Sequence, residues 1–123
     1  MPLSNQPTPL WQPSEARIES AKLTAFIAWL RERGVDVADY AALWEFSVAD
    51  RESFWRAVWD FCGVIGDGPG EVAIENADAM PGARFFPAAR LNFAENLLRR
   101  RGPEDAIVFW GEDKVQRRLS WDA

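Results

Sequence analysis

A chain of 123 residues is long enough for one compact domain and too short for two ordinary ones. Its 48% hydrophobic and 27% charged residues are a globular balance, while a net charge of −5 argues against a nucleic-acid surface, which needs a concentrated positive patch. With no histidine and only one cysteine, Cys62, the chain has no means to build a zinc finger, a histidine base or an internal disulfide.

Residues 1–13 hold Pro2, Pro7, Pro9 and Pro13 among polar residues, which suits an extended, mobile arm. Leu10 and Trp11 interrupt that polarity and are placed to anchor the arm on a surface further along. No basic segment followed by an apolar run opens the chain, so a secretory signal is not expected. No apolar stretch reaches the roughly 20 residues that span a bilayer, which leaves no membrane association and the cytoplasm as the expected compartment.

Ser14 offers an N-cap to a helix running from Glu15 to Arg33 with a break near Ser20. Its second half sets Leu23, Phe26, Ile27 and Leu30 at i, i+3, i+4 and i+7, one apolar face, and Gly34 is a natural left-handed residue after it. Asp39 can cap a short helix containing Tyr40, Leu43 and Trp44. Asp50 can cap another, where Phe54, Trp55, Val58, Trp59 and Cys62 form a stripe that reads as core. Without an imidazole to activate it, Cys62 is expected to be a small buried hydrophobe and not a nucleophile.

The run Gly63-Val64-Ile65-Gly66-Asp67-Gly68-Pro69-Gly70 has the look of a phosphate loop, but Pro69 stands where a P-loop needs lysine and Glu71 where a dinucleotide fingerprint needs its third glycine. It reads as a flexible connection after a helix. A turn at Met80-Pro81-Gly82 leads to Phe85-Phe86-Pro87 and then to Asn92, an N-cap candidate with Glu95 three residues on. The helix so opened would bury Phe93, Ala94, Leu97 and Leu98, and Gly102-Pro103 would stop it. Asn96 is a poor helix former inside it, and its functional alternative is a polar anchor that orients a neighbouring loop. The basic run Arg99-Arg100-Arg101 reads as a solvated helix terminus complementing the helix dipole, with a site for a phosphate or an acidic partner as the alternative.

Residues 106–110 favour strand, Gly111-Glu112-Asp113-Lys114 supplies a turn, and a second strand places Val115, Leu119 and Trp121 on one side with Gln116 and Arg118 on the other. Arg117 breaks the apolar side of this β-hairpin. Ser120 or Asp122 would cap a following helix, so the sequence has the look of one cut as a helix begins. The fold class expected is α+β: a mostly helical region, then a hairpin. Asp36 and Asp39, or Glu112 and Asp113, read as caps and turn residues, and Lys22 and Lys114 have no glycine-rich context. The residues therefore present no catalytic, cofactor-binding or metal-binding candidates. Seven tryptophans and eight phenylalanines exceed what so small a domain can bury, which predicts that some pack on a partner or a following domain.

Three segments carry a family resemblance. They are Leu10-Trp11-Gln12-Pro13-Ser14 with Phe26 and Trp29-Leu30; Asp39-Tyr40-Ala41-Ala42-Leu43-Trp44 through Ser47-Val48 to Phe54-Trp55 and Val58-Trp59-Asp60-Phe61; and Met80-Pro81-Gly82-Ala83-Arg84-Phe85-Phe86-Pro87 into Leu91-Asn92-Phe93-Ala94-Glu95-Asn96-Leu97-Leu98. In this order they resemble the start of acetoacetyl-CoA synthetases, relatives of acetyl-CoA synthetase in the adenylate-forming superfamily. The third segment is the most specific. Phe46 and Phe85 stand where that pattern usually has tryptophan, and Ala88 where glycine is common.

The resemblance implies a two-step reaction in a longer parent protein. Acetoacetate and Mg·ATP would give an acyl-adenylate and diphosphate, and the CoA thiol would then displace AMP. The phosphate loop and catalytic lysine of the family have no matching positions, so catalytic, cofactor-binding and metal residues are expected beyond Ala123, and ATP, Mg and CoA belong to the parent alone. The implied organisation is an arm at 1–13, a helical acetyl-CoA synthetase N-terminal-like region at 14–102, and at 103–123 the truncated start of the AMP-binding domain. The implied partner is that large domain. The competing expectations are a stand-alone protein-binding module with exposed tryptophans, a truncated remnant, and part of a ligase for another short acid.

Overall fold

The computed structural model describes residues 10–123, so residues 1–9 of the expected arm lie outside the described residues. The chain divides into two units, one ending at Phe61 and one spanning Cys62–Ala123, in an α+β architecture.

Three of the four helices described in the first unit begin where a short polar side chain satisfies free backbone N–H groups, the exception being the one that follows Ala21. Ser14 Oγ accepts from the Arg17 N–H at 3.4 Å ahead of α1 (Glu15–Glu19). The chain breaks at Ser20 and Ala21, as expected, before α2 (Lys22–Glu32). Asp39 Oδ1 accepts from Ala42 N–H at 3.0 Å to open α3 (Tyr40–Ala49), and Asp50 Oδ1 from Ser53 N–H at 3.0 Å to open α4 (Arg51–Cys62). Helix α2 closes in a Schellman motif: Val35 N–H reaches the Leu30 carbonyl and Gly34 N–H the Arg31 carbonyl, with Gly34 at φ +81°. Arg31 then spans the next turn, donating from Nε to the Val37 carbonyl at 2.7 Å and from Nη2 to Ala38.

Phe26, Leu30, Val37 and Leu43 form the buried centre of this unit. Leu30 and Val37 are each only 1% exposed, and full burial of one such side chain is worth about 1.5–3 kcal/mol. Phe54, Ala57, Val58 and Phe61 pack against this centre, at i, i+3, i+4 and i+7 along α4. That arc is the true inner face, and it corrects the stripe expected from sequence. Trp55 and Cys62 lie on the flank of the arc and are exposed, so Cys62 is not a buried hydrophobe. Trp59 is buried outside the central cluster. Rings meet at Phe26–Phe61 (4.9 Å between centroids) and edge-to-face at Phe46–Phe54 (5.9 Å), so phenylalanine at 46 packs as part of the core. Leu23 lies one turn ahead of the cluster and is exposed. The expected anchoring by Leu10 and Trp11 is also corrected: both are exposed, and Trp11 meets only the Arg17 guanidinium, 6.0 Å from its ring centre, among the contacts described.

The second unit begins with a loop and carries two small antiparallel sheets and one short helix. Strand β1 (Ile74–Glu75) pairs with β2 (Arg84–Phe85), closed by an Arg84–Glu75 ion pair at 3.1 Å. Sequence periodicity does not detect this pair, because two residues are too few to alternate. Phe86 follows in the left-handed region at φ +47°, uncommon for an aromatic residue, and its N–H donates to the carbonyl of fully buried Ala73 at 2.7 Å. Helix α5 (Phe93–Leu97) is shorter than expected, ending five residues before Gly102, so Gly102-Pro103 does not stop it. Strands β3 (Asp105–Trp110) and β4 (Gln116–Ser120) form the expected hairpin, with Ile107 opposite Leu119 and Phe109 opposite Arg117. The register slips between Asp105 and Ile107, and Arg118 pairs with Asp105 across the strands.

Candidate docking surface

The candidate surface of the second unit is built on α5. Asn92 Oδ1 accepts the N–H groups of Ala94 (2.9 Å) and Glu95 (3.3 Å), a two-donor cap. One turn on, Asn96 reaches back with Nδ2 to the Asn92 carbonyl at 3.0 Å. The same amide clasps Ile65 across 31 residues of sequence: Oδ1 accepts the Ile65 N–H and Nδ2 donates to the Ile65 carbonyl, both at 2.8 Å. The polar-anchor alternative for Asn96 is thus what the structure shows.

Arg99 completes the attachment, donating from Nη2 to the Cys62 carbonyl at 2.7 Å and from Nη1 to that of Gly63. These carbonyls lie where α4 ends, a position where backbone acceptors lack helical partners. The run 99–101 is therefore not simply a solvated terminus of its own helix. Arg100 pairs with Glu104 at 3.8 Å and covers the Trp121 ring at 5.6 Å, while Arg101 donates to the Leu98 and Arg100 carbonyls. With these partners the three side chains do not converge on a shared anion position.

The loop 63–70 is likewise more than a flexible connection. Asp67 N–H donates to the Arg90 carbonyl at 3.1 Å, and a Cβ at position 66 would sit 2.8 Å from the Arg90 oxygen. Gly66 is needed for close backbone approach, not for cradling phosphate.

Many of the large apolar side chains of this unit are exposed. Phe93 is 74% exposed and Leu97 and Leu98 each 55%, so the burial expected along α5 does not occur within the chain. A five-residue helix secured through Asn96 and Arg99 needs no buried apolar face to stay in place. In the hairpin, pairing puts Ile107, Phe109 and Leu119 on one face and Val108 and Trp110 on the other, all of them exposed. A strand apolar on both faces is the pattern of one covered on both sides, as in a sheet interior. Leu97, Leu98, Ala106, Ile107, Leu119 and Trp121 also line a groove of ≈ 300 Å³. In the first unit, α3 presents Tyr40, Trp44 and Val48 at i, i+4 and i+8, each at least half exposed, while Leu43 on its flank is buried. Both units thus show the aromatic excess that composition predicted would need a covering partner.

Chemical machinery is a separate matter. Among the described residues no three of His, Cys, Asp and Glu come together in a group that could hold a metal ion. The Asp50 carboxyl is held below the ordinary carboxylate range by hydrogen bonds from the Ser53 hydroxyl and backbone N–H. That is the environment of a helix cap, which favours the charged acceptor and opposes service as a general acid. Asp39 likewise caps a helix, and Asp113 accepts the Val115 N–H at 3.3 Å inside the hairpin turn. Asp122, expected to cap a following helix, accepts the Gly102 N–H at 2.9 Å. No described helix is long and apolar enough to cross a membrane.

Residues 40–97 match the family model for the acetyl-coenzyme A synthetase N-terminus. The chain is 53% identical over 115 residues to acetoacetyl-coenzyme A synthetase of Rhizobium meliloti (strain 1021), covering 93% of this chain and 18% of that protein. It is 34% identical over 120 residues to a malonamoyl-CoA synthetase of Penicillium aethiopicum, covering 91% of this chain and 16% of the relative. Among solved structures, acetoacetyl-CoA synthetase from Streptomyces lividans superposes with a TM-score of 0.77 at 37% identity, over 94% of this chain and 18% of that one. The chain therefore spans less than a fifth of the length of the relatives it matches. The matched residues 40–97 take in α3, α4 and helix α5, and over nearly its whole length the chain is similar to the N-terminal part of acetoacetyl-CoA synthetases.

Proposed function

We propose that this chain is the N-terminal, non-catalytic part of an AMP-forming acetoacetate–CoA ligase, and that its own task is to pack against the large AMP-binding domain of that enzyme. The whole protein would convert acetoacetate, ATP and CoA to acetoacetyl-CoA, AMP and diphosphate in the cytoplasm. Adenylation gives the carboxylate a leaving group, and the CoA thiol then displaces AMP. The observation that carries the proposal is 53% identity over 93% of the chain to an acetoacetyl-CoA synthetase more than five times as long. The exposed apolar faces of α3, α5 and the hairpin support the structural half of it. On this reading residues 1–13 are an arm, 14–102 the helical N-terminal region, and 103–123 the first strands of the AMP-binding domain. ATP, Mg and CoA bind elsewhere in the enzyme.

The test is acetoacetate-dependent ATP–diphosphate exchange, run on the full-length enzyme and on residues 1–123 alone. Exchange by the first and none by the second is expected. Tight ATP binding by residues 1–123 would overturn the non-catalytic assignment. The similarity to a malonamoyl-CoA synthetase favours one variation, activation of a different short acid, and exchange with malonamate but not acetoacetate would select it.

A further inference from the structure

We draw no further inference here: the strongest candidate, the groove between α5 and the β3–β4 hairpin lined by Leu97, Leu98 and Ile107, belongs to the docking surface already described, and nothing in the structure shows what else would cover it.

Discussion

The two units of the chain hold their shape by different means. In the first, helices α2, α3 and α4 converge on Phe26, Leu30, Val37 and Leu43, and the stability is that of apolar side chains removed from water. In the second, Ala73 is the sole buried hydrophobic residue among those described, and the segments are fastened by side chains gripping backbone. A packed core tolerates a lost polar contact better than a lost methyl group. A clamped unit should behave the other way round, and its exposed apolar faces should contribute little until something covers them.

The largest effect should come from the first unit's centre. Leu30→Ala removes a side chain that is 1% exposed and should cost about 2–5 kcal/mol in chemical denaturation of the chain. A smaller cost would mean that this core is looser than its burial indicates. Next is the clamp: Asn96→Ala leaves the Ile65 N–H and carbonyl without their partner and should cost about 1–3 kcal/mol, with faster amide exchange at Ile65. Equal exchange at Ile65 in both proteins would show that the loop is held by other means.

Asp50→Ala should cost about 0.5–2 kcal/mol through loss of the α4 cap. Because folding lowers the pKa of this carboxyl below its ordinary value of 3.8, its ionised form stabilises the fold above that pH. The contribution disappears as pH falls through the lower folded value. Asp50→Asn keeps a capping acceptor and should flatten that acid-dependent part of the stability curve, as thermal melts between neutral and strongly acidic pH would show. The smallest effect is expected on the exposed hairpin, where Ile107→Thr in residues 1–123 should change stability by no more than about 0.5 kcal/mol. The same change in a full-length ligase should be costlier, since the docking proposal buries that position. Equal, negligible costs in both contexts would count against docking through this face.

Much of the fold was legible because its signals are local. Ser14, Asp39, Asp50 and Asn92 are caps recognisable from the three residues after each, and Gly34 marks the end of α2 for the same reason. The hairpin followed from alternation and a turn sequence. Sequence reasoning erred where a rule had to say what a face packs against. The α4 stripe was placed to one side of its true inner arc, and Cys62 and the α5 leucines were expected inside but are exposed. Helical spacing states which residues share a face, but whether that face is covered depends on elements elsewhere.

By itself, then, the sequence determined where helices start and where α2 stops, the hairpin and its turn, the absence of a phosphate-loop pattern at 63–70, and the likeness to acetoacetyl-CoA synthetases. Only the tertiary structure decided that Asn96 grips Ile65 across 31 residues, that Arg99 serves the Cys62 carbonyl 37 residues away, and which apolar faces remain open. The division has a physical cause. Caps and turns close within a few bonds of chain, so their geometry follows from spacing, whereas a contact between distant residues depends on how the intervening elements fold and leaves no periodic trace.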